Sequence, residues 1–285
     1  METSFPIDNS RPPKDLVWSL ILIFIALYLP IYVGPITYPI SVVIVMNRLL
    51  FGLSLCHEAL HGNVHTKSRW NSFYGSLWSL PLMIQLSRYK RLHLRHHFQL
   101  NEKGADPDYH LSENFPTSLF PYLGRQLFRL LTLSTLLDYL KYYTEIQGTK
   151  IYAHVGTFGL RSFCIVILVG SIFFFPALFF FFFLPHLLFQ QYILIGLALQ
   201  HGPIASGRDK LEGSRNIFGP KWWLAVVMPG QIALHGSHHR FPKVPYYHLH
   251  RMTQALKGQI PIWEQSYIEA MRSLFYLFGD KPKSD

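Results

Sequence analysis

Long apolar runs dominate the chain, set apart by short polar segments rich in Lys, Arg and His. A helix needs roughly 20 apolar residues to cross a hydrocarbon core of about 30 Å. Four runs reach or approach that length: 16–33, 36–56, 163–183 and 184–200. The first two are parted only by a turn containing Pro30, Gly34 and Pro35. The last two abut, with Pro185 near the start of the fourth. Each pair therefore reads as a helical hairpin. Two shorter apolar stretches, 70–86 and 222–234, are bordered by aromatic residues and lead into histidine-rich motifs. They read as interfacial helices or as buried helices of a cap. The stretch 119–151 carries Leu127, Leu130, Leu131, Leu133, Leu136, Leu137 and Leu140. It reads as amphipathic helix packed on the cap or the membrane surface.

Charge gives these spans a direction. Of the 26 Lys and Arg, all but Arg48 lie in the N-terminal segment, in 57–162, or after Gln200. Neither hairpin tip carries one. The positive-inside rule then puts both termini and 57–162 on the cytoplasmic side of a bacterial inner membrane or the endoplasmic reticulum. The N-terminal residues lack the short apolar core and small-residue cleavage site of a secretory signal, so the first run reads as a retained anchor. No repeat, low-complexity linker or break in composition divides the 285 residues. The expectation is one all-α membrane domain. It has four transmembrane helices in two hairpins and a cytoplasmic helical cap formed by 57–162 and 201–285. The formal charge of +10 is spread between apolar spans without a nucleic-acid-binding motif, which argues against a nucleic-acid partner. Cys56 and Cys164 both sit in apolar segments and form no disulfide framework and no CxxC pair.

The candidate chemistry lies in three motifs: HEALH at 57–61, HLRHH at 93–97 and HGSHH at 235–239. Each adjoins an apolar stretch. Histidines three or four apart share one face of a helix, so each motif aims several imidazoles at one point. Adjacent His96 and His97, and likewise His238 and His239, diverge by roughly 100°, which lets each pair serve two metals. With His201 at the end of the fourth run, the candidate ligands are His57, His61, His93, His96, His97, His201, His235, His238 and His239. That is more than one ion takes; zinc sites use three or four protein ligands. A set of this size suits two transition-metal ions, and imidazole suits iron. Zinc is the alternative.

His65 extends the i, i+4 series of the first motif but lies past Gly62 in a polar stretch, so it is expected to face solvent or stand behind the ligands. His110, His154, His186, His248 and His250 lie outside the motifs and are expected to be structural. Asp106 and Asp108 follow the second motif. Either can orient a ligand from behind, and the Asp-Pro-Asp sequence can equally make a turn. Glu58 can orient a histidine of the first motif. Asn47 and Arg48 are polar positions inside the second run, where charge is costly and often functional, and they are candidates for a polar substrate group.

HEALHGNVH, KRLHLRHHFQLNEKGADPDYH and HGSHHRFPKVPYYHL together resemble the integral-membrane fatty acid desaturase and hydroxylase superfamily, which includes carotenoid ketolases. The resemblance runs from about residue 15 to residue 260. The second motif is similar to the family's HxxHH followed by Asp106-Pro107-Asp108, and the third to its HxxHH followed by a Pro-containing stretch. It implies that the nine histidines bind two iron ions that activate dioxygen, with His201 matching an isolated histidine of the family. Where some members carry an Asn one turn earlier, this chain has Leu197.

The activity so implied is dioxygen-dependent desaturation of a long-chain fatty acyl substrate, carried as a lipid, an acyl-CoA or on an acyl carrier protein. Hydroxylation of such a chain and carotenoid ketolation or hydroxylation are alternatives. A zinc-dependent membrane lipid hydrolase is the rival of a different class. A metal transporter would need ligands at mid-membrane, whereas these histidines sit at span ends or outside them. Two electrons per turnover must come from a separate donor, ferredoxin or cytochrome b5 with its reductase, since neither a haem-binding HPGG segment nor a dinucleotide-binding GxGxxG occurs.

Overall fold

The computed structural model describes residues 5–109, 119–144, 150–201, 214–255 and 263–275. His110 and the side chain of His154 lie outside the described positions. The chain is mostly helical and divides into two compact units, Met1–Lys90 with Arg129–Tyr192, and Arg91–Phe128 with Ile193–Asp285.

The first unit holds the apolar hairpins. Helix α1 (Arg11–Tyr28) continues through a π-helical turn at Leu29–Val33. Gly34 then reverses the chain with φ +135°, a conformation that L side chains rarely adopt. Helix α2 (Tyr38–His61) follows and ends at Gly62 in the left-handed region. Arg11–Val33 and Pro35–His61 are both long and apolar enough to cross a membrane. Helix α3 (Ser68–Ser79) packs against α2. Gly75 makes that crossing close: a Cβ there would lie 2.9 Å from Ala59 Cβ and 3.0 Å from Leu86 Cδ2. Cys56 Sγ lies 3.5 Å from the Gly75 carbonyl at the same crossing.

The second apolar region differs from the expected spans. Helix α7 (Lys150–Phe174) stops at Phe174, and Phe175 (φ −141°, ψ 60°) precedes Pro176, which has no N–H to continue a helix. The break therefore falls at Phe175–Pro176 and not between 183 and 184. Helix α8 (Pro176–His201) is the third segment long and apolar enough to span; Phe158–Phe174 is a shorter apolar helix. Pro185 does not break α8. Its ring would meet the carbonyl four residues back, and the π-helical turn Phe179–Phe183 relieves that conflict. Tyr38 donates from its hydroxyl to the Phe180 carbonyl (2.7 Å), which ties the turn after α1 to this π-turn. Helix α6 (Ser134–Tyr143) completes the unit, with the Tyr139 hydroxyl on the Leu82 carbonyl at 2.7 Å.

The second unit contains part of α4 (Leu86–Phe98), most of α5 (Leu119–Leu131) and the C-terminal end of α8. It also holds α9 (Lys221–Val227), α10 (His235–Arg240), α11 (Tyr246–Ala255) and α12 (Tyr267–Phe275). A purely α-helical fold was expected, but strands β1 (Arg215–Phe218) and β2 (Trp263–Ser266) pair in parallel. Four-residue strands lie below the length at which alternation is legible. The core gathers Tyr122, Ala198, Leu199, Ile217, Met228, Ala233 and Ala270.

Candidate metal centre

The second and third motifs both lie on helical residues of the second unit, at the end of α4 and on α10. On α4, His93 and His97 share a face, and His96 points away from His97 by the helical offset. On α10, His235 and His239 share a face and His238 diverges. The structure sorts these rings into two clusters. His96, His201, His235 and His239 bring one ligand atom each within 4.8 Å of the others. Their Nε2 atoms approach closely, His201 to His235 at 2.8 Å and His239 to His235 at 3.0 Å. His93, His97 and His238 form the second group, with His238 and His97 Nε2 3.1 Å apart. The clusters adjoin through the stacked rings of His97 and His239, 4.2 Å between centroids. Thus α4 and α10 each contribute to both.

These imidazoles suit metal binding chemically. Metal ligation needs the neutral ring. Burial, and then the neighbouring His235, His97, His96 and His201, hold His239 well below the ordinary histidine range. His96 is 2% exposed, and its Nδ1 donates to Asp106 Oδ1 at 2.8 Å, leaving Nε2 for an ion. Burial lowers its pKa, but the Asp106 hydrogen bond and the charges of Asp108 and Asp106 outweigh that and raise it. Burial raises Asp106, yet the bond to His96, its charge and the backbone N–H groups of Asp108 and Asn101 bring the carboxyl below its ordinary value. Asp106 therefore takes both of the roles the sequence left open. It orients His96, and it closes the turn by accepting the N–H of Asn101 (2.9 Å) and of Asp108 (2.8 Å). Asp108 Oδ2 stands farther off, 3.6 Å from His96 Nδ1.

In the first unit, α2 presents His57 and His61 at its C-terminal end, both buried, with ring centroids 5.1 Å apart. Glu58 Oε1 lies 3.6 Å from His57 Nδ1, and Glu58 Oε2 accepts from the Asn63 amide at 3.2 Å. His65 falls beyond the Gly62 cap, half-buried, and its Nδ1 accepts the Lys67 N–H at 2.9 Å. It belongs to none of the metal-competent groups among the described residues. Arg48, a candidate for a polar substrate group, donates to the Asn47 side-chain oxygen (Nε at 3.0 Å) and lies 4.9 Å over the Phe51 ring. His186 places its ring nitrogens on the carbonyls of Phe182 and Pro81.

One supporting residue escaped the motifs. Leu234 is the N-cap of α10 and offers no side-chain cap, and the N–H of Ser237 is instead taken by Asn216 of β1. The signal in the sequence was indirect: a histidine motif preceded by residues that cannot cap a helix.

The sequence model of a family described as fatty acid desaturase matches residues 12–269. Comparison with curated proteins found no match.

Proposed function

Because the chain belongs to the fatty acid desaturase family, we propose that it desaturates a long-chain fatty acyl substrate at a pair of iron ions. The balanced reaction takes two hydrogens from adjacent methylenes. Dioxygen, two electrons from an external donor and two protons complete it, giving a double bond and two waters. When bound, iron supplies the oxidising chemistry toward an unactivated C–H bond. The residues supply everything else. His96, His201, His235 and His239 hold one ion. His93, His97 and His238 hold the other, and the family resemblance adds His57 and His61 to the ligand set. Asp106 fixes the tautomer and direction of His96.

The observation that carries this reading is the adjoining pair of imidazole clusters in the second unit, built from histidine nitrogen donors. Their number supports iron over a single zinc, which takes three or four protein ligands, and imidazole suits iron. Elemental analysis of the full chain from iron-replete cells is expected to give two irons per chain. One zinc with negligible iron and retained activity would overturn the reading. Mass spectrometry of cellular lipids then names the reaction: an acyl chain lighter by two hydrogens supports desaturation, whereas an added oxygen replaces it with hydroxylation.

The working side is the cytoplasm in this reading, supported by the absence of Lys and Arg from both turns. An external ferredoxin or cytochrome b5 delivers the electrons there. Single cysteines placed at Tyr32 and at Phe175, both exposed beside the turns, are expected to react with impermeant reagent only from the opposite side.

A further inference from the structure

The third histidine box sits on a helix of six residues, His235–Arg240. So short a helix does not hold itself, because nucleation costs more than so few hydrogen bonds return. We propose that Asn216 is the positioning residue that holds this box in register, and with it both metal subsites. The inference rests on the dimetal reading above.

The geometry is a closed chain of buried polar groups. Asn216 Oδ1 accepts the Ser237 N–H at 3.0 Å, which caps α10 from outside at its third residue. Asn216 Nδ2 donates to Ser237 Oγ at 2.7 Å. Thr253 Oγ1 lies 2.8 Å from Ser237 Oγ and 2.8 Å from the Leu249 carbonyl. One proton per hydroxyl orders the chain: Thr253 gives its proton to Leu249, and Ser237 gives its own to Thr253. Asn216 and Ser237 are fully buried. Asn216 is itself fixed on two sides. It pairs with Glu264 in the parallel sheet and bridges Leu234 in the antiparallel sense, and the next residue, Ile217, donates to Ala233 at 2.7 Å.

Ser237 stands between ligands that go different ways. His235 and His239 join one cluster, and His238 joins the other. A single clamp on Ser237 therefore sets both. Asp106 differs, since it touches His96 of one cluster alone. A neutral amide suits 216, for it accepts from a backbone N–H through Oδ1 and donates to a hydroxyl through Nδ2. Aspartate keeps the first bond and loses the second. Leucine keeps the branching and the number of side-chain heavy atoms and loses both bonds.

The test uses the full chain in detergent with matched helix content by circular dichroism. Metal ions per chain and their rate of release to a chelator are measured for wild type, Asn216→Leu, Asn216→Asp, Ser237→Ala and Asp106→Asn. Expected is parallel loss of both ions in Asn216→Leu, with release about ten-fold faster or more. Asn216→Asp and Ser237→Ala, which keep the backbone cap, are expected to fall between that variant and wild type. Asp106→Asn is expected to lose one ion ahead of the other. If Asn216→Leu does not fold, the two milder variants decide. Two ions held with wild-type release in every folded variant at 216 and 237 would overturn the proposal while the dimetal reading stands. A wild-type chain that holds no pair of ions removes both.

Discussion

The second and third histidine boxes share the spelling HxxHH and divide their rings between the same two clusters, yet they are held by different physics. The second lies on α4, a thirteen-residue helix. It is steadied by a carboxylate, Asp106, bonded directly to the ring of His96. The third lies on a six-residue helix, where a neutral amide, Asn216, holds the backbone and the hydroxyls of Ser237 and Thr253 extend the contact. A charged partner acts on the electronics of one ligand, raising its basicity. A neutral clamp acts on the position of three ligands and leaves their basicity alone. Identical spacing in a sequence thus conceals two ways of presenting a metal ligand.

The comparison breaks most severely at His201, which belongs to neither box yet completes the cluster that both feed. His201→Ala is expected to abolish turnover and to lower iron content, read by product analysis and elemental analysis at matched expression. Wild-type iron with lost turnover would move His201 out of the ligand set. The next largest effect is expected for Asp106→Asn, a loss of about 10–100-fold in activity or metal affinity. A loss spread evenly over both ions would show that Asp106 acts on the turn at 99–108 more than on His96. Smallest is His65→Ala, expected to keep most of both metal and activity, because the Gly62 cap ends α2 before that ring can join His57 and His61. Metal loss equal to that of His201→Ala would reverse the assignment.

The boxes were legible because helical periodicity turns a one-dimensional spacing into a shared face. The same offset showed that His96 and His97 would part, though not which rings each would meet. The apolar runs were legible as helices, but hydropathy alone could not see where they break. It ran through Phe175 and Pro176 without a pause, and the backbone turns there. It counted Pro185 as an entrance to a span, where a π-turn carries it inside one. Asn216 was beyond reach because capping by a residue 21 positions away is a tertiary event. Arg48 and Asn47 were singled out as polar intruders for a substrate. The structure adds that they bond to each other, which their adjacency in the sequence did not announce.

Gly75 carries a consequence for how variants of this chain should be sought. A methyl group there meets Ala59, which lies between His57 and His61 on α2, and Ala59 Cβ yields only if the backbone does. Overpacking of this kind costs about 1–3 kcal/mol, and it would be felt as a roll of α2 and a re-aiming of both rings. A genetic screen for inactive alleles should therefore return position 75 beside the histidines, although it has no side chain and bears on no ligand directly. An alanine scan confined to polar residues would pass it by, and a library built to vary box one should hold it constant.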